Sequence, residues 1–188
     1  MSLPPGDRSR LFVALELPDA VRAGLRRTIE PFLATAPFKW VPEANYHVTV
    51  RFLGPVAKAR LEELAASLSE VAGRSAVFHT QITALGSFPA GGGPARVLWA
   101  GLKDGSGRLA ELVSQVDVIL GWLPAQKGDY TPHVTLARCD PPRGIPPGWL
   151  TAQVPADRFP VRWLTLFESR AGADGSEYLQ LQRFPLRA

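Results

Sequence analysis

The chain has 188 residues, 46% of them hydrophobic and 20% charged, ordinary values for a folded domain that exclude wholesale disorder. At this size roughly 70% of the unfolded chain's surface is buried on folding, so no disulfide framework is needed, and the single cysteine, Cys139, has no internal partner. The net charge of +4 comes from 17 Arg and only 4 Lys against 17 acids, spaced singly or in pairs, which excludes a basic nucleic-acid-binding tail but permits an anionic partner at a site built in three dimensions.

No stretch approaches the ~18 apolar residues of a membrane helix, and Met1 to Arg10 has no apolar signal core, so a cytoplasmic protein with no membrane association is expected. A flexible lead-in over residues 1–9 precedes a single bilobal domain over residues 10–188. Arg10 to Leu17 alternates as a strand, with Leu11, Val13, Leu15 and Leu17 on one face and Arg10, Phe12, Ala14 and Glu16 on the other. Pro18-Asp19 opens a helix whose apolar positions run from Val21 to Leu33, ahead of the Ala36-Pro37 break. Trp40-Val41 leads to a strand over Tyr46 to Leu53, closed by Gly54-Pro55. Leu61, Leu64, Leu68 and Val71 then mark one stripe of a second helix ending at Gly73.

Strands are predicted at Val77 to Leu85 and Val97 to Leu102, with a Gly91 to Pro94 turn between them. A third helix starts near Ser106. The strand His133 to Arg138, a Pro-rich connection from Pro141 to Pro147, and terminal strands Trp163 to Ser169 and Tyr178 to Phe184 around a Gly172 to Gly175 turn complete the chain. Three helices and about seven strands make an α+β fold.

One pattern occurs twice, 86 residues apart: His47-Val48-Thr49-Val50 and His133-Val134-Thr135-Leu136. In a strand, residues i and i+2 share a face, so each copy sets an imidazole beside a hydroxyl and sends its apolar residues to the core. Two such strands across a cleft would hold two groups that titrate near neutrality and two hydroxyl donors. Cleavage of a cyclic phosphodiester needs this set: one imidazole takes a proton from the attacking oxygen, the other gives one to the leaving oxygen, and the threonines hold the non-bridging oxygens. No metal and no cofactor is required. Any single histidine in such a place is commonly a half-buried strand residue with a local hydrogen bond; the repeated context argues otherwise. His79 lacks a threonine at i+2 and is read as structural.

These residues resemble the 2H phosphoesterases, and more closely the RNA 2′,3′-cyclic phosphodiesterases, historically called 2′-5′ RNA ligases. The likeness also covers Arg10-Leu11-Phe12-Val13-Ala14-Leu15, Trp40-Val41-Pro42, Arg51-Phe52-Leu53-Gly54, Arg96-Val97-Leu98-Trp99 and Ala137-Arg138. It implies a two-lobed, pseudo-twofold α+β fold, with antiparallel sheets forming a central cleft and helices outside. It also implies hydrolysis of RNA ends carrying a 2′,3′-cyclic phosphate, often with weak reversible 2′-5′ ligation, by a chain expected to be monomeric. Carried over by position, His47 and His133 are the catalytic pair, with His47 the usual proton donor and His133 the acceptor; spacing alone does not assign those roles. Thr49 and Thr135 bind phosphate.

The resemblance also sets Arg138 near the phosphate and Phe52 near the base. Strand parity objects, since each lies five positions past its histidine and would point to the opposite face unless a bulge, twist or strand end re-aims it. Phe52 packed in the core is the alternative. Phe12, on the polar face of its strand between Arg10 and Ala14, is a candidate for stacking on a nucleobase.

Gly105-Ser106-Gly107-Arg108-Leu109-Ala110 fits a dinucleotide fingerprint by spacing, but no successive βαβ units accompany it and it reads as a turn. Cys139, beside Arg138, reads as a passive strand-end thiol. A noncatalytic module holding RNA or nucleotide ends in the same cleft is the alternative function. It would need no second imidazole.

Overall fold

The computed structural model describes residues 7–34, 36–126, 128–172 and 175–188. The chain runs β1 (Arg8–Glu16), α1 (Asp19–Ile29), β2 (Lys39–Trp40), β3 (His47–Ala57), α2 (Leu61–Arg74), β4 (Phe78–Phe88), β5 (Ala95–Lys103), α3 (Arg108–Ile119), β6 (His133–Arg143), β7 (Phe159–Val161), β8 (Trp163–Gly172) and β9 (Gly175–Pro185). The first six residues of the expected lead-in lie outside the described residues, and β1 begins at Arg8, inside it. The middle of the Gly172 to Gly175 turn likewise lies outside them.

The strands pair antiparallel in the order β7-β4-β5-β6-β3-β1-β8-β9. At the centre β3 and β6 share a single ladder position, Val48↔Val134. Further along the same edge of β6, β2 takes over at Ala137 and Arg138. One lobe is therefore β1, β3, β8 and β9, the other β2, β4, β5, β6 and β7, and they diverge from one shared pair. A continuous curled sheet with a cleft at its middle results.

The helices lie outside. In α2, Leu64, Leu68, Val71 and Ala72 are buried, and in α3 Leu109, Leu112, Val113 and Val116, each set at helical spacing. These stripes pack α2 against α3, β8 and β9, and α3 against β3. The first helix stops at Ile29 rather than reaching Leu33, because Pro31 has no N–H to continue the ladder and a 3-10 turn follows over Glu30–Phe32. In the second lobe the core is anchored by Trp149, fully buried, its indole N–H donating to the Gly86 carbonyl at 3.0 Å and its ring packed on Phe32 and Trp40.

Two short strands, β2 and β7, exceed the seven predicted. Three residues or fewer leave no period to read, and pairing with β6 and β4 makes them strands. β6 also continues through Pro141 and Pro142 to Arg143, where a Pro-rich connection is predicted; prolines are tolerated in a strand with a free edge. The Gly105-Ser106-Gly107 segment is a helix cap. The Asp104 carboxylate accepts from the N–H groups of Gly107 and Leu109 and from the Ser106 hydroxyl, at the start of α3.

Candidate active site

The two repeated motifs lie at the junction of the lobes and line one cleft of about 660 Å3. Across the shared Val48↔Val134 pair, His47 stands over against Thr135, and Thr49 against His133, so the imidazoles sit on a diagonal. Val48 and Val134 are fully buried beneath them. The expected face assignment therefore holds for all four polar residues.

Each ring is held the same way. His47 Nδ1 lies 2.7 Å from the carbonyl oxygen of Asn45, and His133 Nδ1 lies 2.7 Å from that of Thr131. A carbonyl only accepts, so in both rings Nδ1 carries the proton and, in the neutral form, Nε2 keeps its lone pair. His47 Nε2 is 3.1 Å from the Thr49 hydroxyl, which donates to it.

The surroundings differ. His47 sits among Phe12, Phe167 and Tyr178, with ring centroids 4.9, 6.3 and 5.2 Å away. Burial there pushes its pKa down to about 4, with the charges of His133 and Arg138 adding to the effect against the Asn45 carbonyl. His133 rests against Phe88 and Trp99 at 5.1 and 6.2 Å. Its pKa is also lowered, by burial and then by Arg138, against the Thr131 carbonyl. Trp99 can lie flat because Gly86 faces it: a Cβ there would come within 2.3 Å of the indole ring.

Between each histidine and the fifth residue after it, parity is broken once. Between β1 and β3 the register passes from Ala14↔Thr49 to Val13↔Arg51, leaving Val50 without a partner. Between β5 and β6 it passes from Trp99↔Thr135 to Leu98↔Ala137, leaving Leu136 without one. These are β-bulges, and each turns two successive side chains inward: Val50 with Arg51, and Leu136 with Ala137, all buried. Phe52, 58% exposed, and Arg138 consequently return to the cleft face. Core packing of Phe52 is thereby excluded.

Phe12 also lines the cleft but is only 3% exposed, because Phe167 stacks on it at 5.2 Å and Tyr178 meets it edge-on at 5.0 Å. The expectation of a free stacking platform is corrected: Phe12 is a floor beneath His47. Phe167 and Tyr178 come from the C-terminal hairpin, more than 150 residues away in sequence, and no local pattern pointed to them. Arg10 and Arg170 add cations at the rim, with Arg170 bound to Glu168 at 2.6 Å. No carboxylate of the described residues lines the cleft. His79 is exposed on β4 outside it, and Cys139 lies beyond its lining, its thiol 3.1 Å from the Pro141 carbonyl.

Sequence reasoning also missed Arg51. Its guanidinium is 1% exposed and donates to the carbonyls of Val116, Asp117, Leu123 and Pro124 at 3.0 to 3.5 Å, with the Asp117 carboxylate at 3.2 Å. It thus closes the C-terminal end of α3, where the helix dipole favours a cation. Gln126 completes the first bulge, accepting from the Phe52 N–H at 3.2 Å and donating to the Val50 carbonyl at 3.3 Å.

The LigT-like phosphoesterase family model matches residues 15–99. The RNA 2′,3′-cyclic phosphodiesterase of Thermus thermophilus is 32% identical over 95% of this chain and 90% of its own length. That of Aeropyrum pernix is 36% identical over 58% of this chain and 62% of its own. Relatives of the same name from Aquifex aeolicus and Geobacillus stearothermophilus are matched over 54% and 42% of their lengths. Among solved structures, the Thermus thermophilus protein TT0787 superposes with a TM-score of 0.80 at 29% identity, over 95% of this chain and 98% of that one. With the bulged His-x-Thr strands facing each other in such a sheet, the chain belongs to the LigT-like phosphoesterases of the 2H superfamily.

Proposed function

We propose that the chain hydrolyses the terminal 2′,3′-cyclic phosphate of RNA to a 2′-phosphate by two-histidine acid–base catalysis. The observation that carries this reading is the matched pair of imidazoles in one cleft, each with Nδ1 donating to the carbonyl two residues back and Nε2 available for proton transfer. Burial favours the neutral form of both rings. The phosphate anion supplies the opposite charge that stabilises one imidazolium, so substrate itself prepares the acid. His133 Nε2 takes a proton from water as its oxygen bonds to phosphorus. His47 Nε2–H protonates the departing 3′ oxygen as the P–O3′ bond breaks, in the roles that the family resemblance suggests.

Thr49, Thr135 and Arg138 donate to the non-bridging oxygens, where charge accumulates. With a 5′-hydroxyl in place of water the same steps give 2′-5′ ligation, weakly and reversibly. The test is a short oligoribonucleotide ending in a 2′,3′-cyclic phosphate, incubated with the protein in EDTA. A 2′-phosphate product is expected. A 3′-phosphate product, or turnover only after a divalent cation is added, would overturn the mechanism.

A further inference from the structure

Arg138 stands where the cleft opens into a second groove. That groove, of about 560 Å3, is lined by Lys39, Arg96, Arg138 and Arg143, with Asp140 its one acid among the described residues. The cations sit on paired strands: Arg138 of β6 lies between Lys39 of β2 and Val97 of β5, and Arg143 is paired with Ala95. Asp140 is engaged by Arg96 at 2.6 Å, whereas Lys39 and Arg143 have no carboxylate partner among the described residues. Three unmatched charges, Arg138 included, thus continue outward from the cleft on a rigid support. A neighbouring hollow over Trp40 and Tyr178 also meets the cleft, but Glu177 lines it, which disfavours a polyanion.

From this continuity we infer that the basic groove carries the phosphates of the nucleotides 5′ to the cyclic end, making single-stranded oligonucleotides, and not cyclic mononucleotides, the preferred substrate. The inference rests on the cyclic-phosphodiesterase reading, since it extends that ligand out of the cleft. Phosphate contacts of this kind position a strand without reading its sequence, and they are salt-dependent.

The experiment compares 2′,3′-cyclic AMP with cyclic-phosphate-ended oligoribonucleotides of two to six residues, in the unmodified protein and in Lys39→Ala/Arg143→Ala. KM is expected to fall with length and to rise roughly tenfold in the double variant for the longer substrates only, with the slope of log KM against log salt flattened by about 1.4 for two lost contacts. A pair of exposed cations on the helices, Arg27→Ala/Arg74→Ala, serves as charge-matched control and leaves every value unchanged. Equal KM for mononucleotide and oligonucleotides, or an equal rise for both in the groove variant, overturns the groove while leaving the hydrolase reading standing. Binding of a labelled oligonucleotide with a 2′-phosphate end, followed by anisotropy, decides the groove independently of turnover: weaker binding in Lys39→Ala/Arg143→Ala alone supports it, and no difference sinks it. Absence of turnover with every substrate sinks the hydrolase reading instead.

Discussion

The strands β3 and β6 meet the same geometric demand by different means. Both bulge three residues after their histidine, and in both the bulged carbonyl needs a donor. For Val50 it is the side-chain amide of Gln126; for Leu136 it is the main-chain N–H of Val41, at 2.9 Å. The next position is Arg51 in one strand and Ala137 in the other, both buried. The Arg51 guanidinium ties the first motif to the end of α3, whereas Ala137 simply fills its space beside β2 and β5. Backbone geometry sets the cleft, and each lobe supports that geometry with whatever its neighbouring elements offer.

If the two histidines act as a pair, their loss should be nearly equivalent despite those differences. His47→Gln and His133→Gln are each expected to lower kcat by roughly 10²- to 10⁴-fold on a cyclic-phosphate oligonucleotide, and the double variant by much less than the product. A tenfold or smaller loss in either variant, with the fold intact by circular dichroism, would break the symmetry on which the mechanism depends.

The supports, by contrast, should differ sharply. Arg51→Ala takes a donor from four carbonyls, of which, among the described residues, only that of Val116 keeps another, the Leu120 N–H, and opens a void in the core, so it should cost about 3–5 kcal/mol in urea unfolding. Ala137→Gly, at the matching position, removes one methyl group and should cost about 1 kcal/mol. Similar values for the two would mean that Arg51 is not what holds α3 to the first motif.

Much of this was legible in the sequence. Regular apolar spacing located α2 and α3, and alternation placed His47 with Thr49 and His133 with Thr135 on common faces. The bulges were not legible, because a bulge is a property of two paired strands and no single strand encodes its partner's register. The parity objection to Phe52 and Arg138 was therefore sound for an isolated strand and is resolved only by pairing. Arg51 escaped notice for a related reason: its carbonyl partners lie 65 to 73 residues away. Phe12 was set on the correct face, but the hairpin rings that bury it arrive from the other end of the chain.

Acid should report next on the burial that the two histidines share. The folded-state pKa of His47 is depressed to about 4 from an ordinary 6.5, so the folded state favours the neutral ring and the unfolded chain binds the proton more readily. Its stabilising contribution is then complete above about pH 6.5 and lost as pH falls towards 4, an effect on the order of 3 kcal/mol. Urea unfolding at pH 7 and pH 4 should show a smaller difference in His47→Gln than in the unmodified protein. His133 is shifted in the same direction, and His133→Gln should also reduce the pH dependence. An unchanged difference in His47→Gln would mean that the ring is not buried as neutral imidazole.

The smallest effects should distinguish the two threonines. Each loses only a hydroxyl on replacement by valine, so each variant should bind phosphate more weakly, raising KM by roughly tenfold. Only Thr49, however, donates to the Nε2 of its own histidine. That bond is made to the neutral ring, so its removal in Thr49→Val is expected to ease protonation of Nε2. The titration midpoint of His47, followed by NMR, should rise by roughly half a pH unit, the scale of one modest hydrogen bond. Thr135→Val should leave the His133 midpoint where it is. Equal movement in both variants would mean that the threonines influence their histidines through the cleft as a whole, and the direct Thr49 contact would then have no separate role.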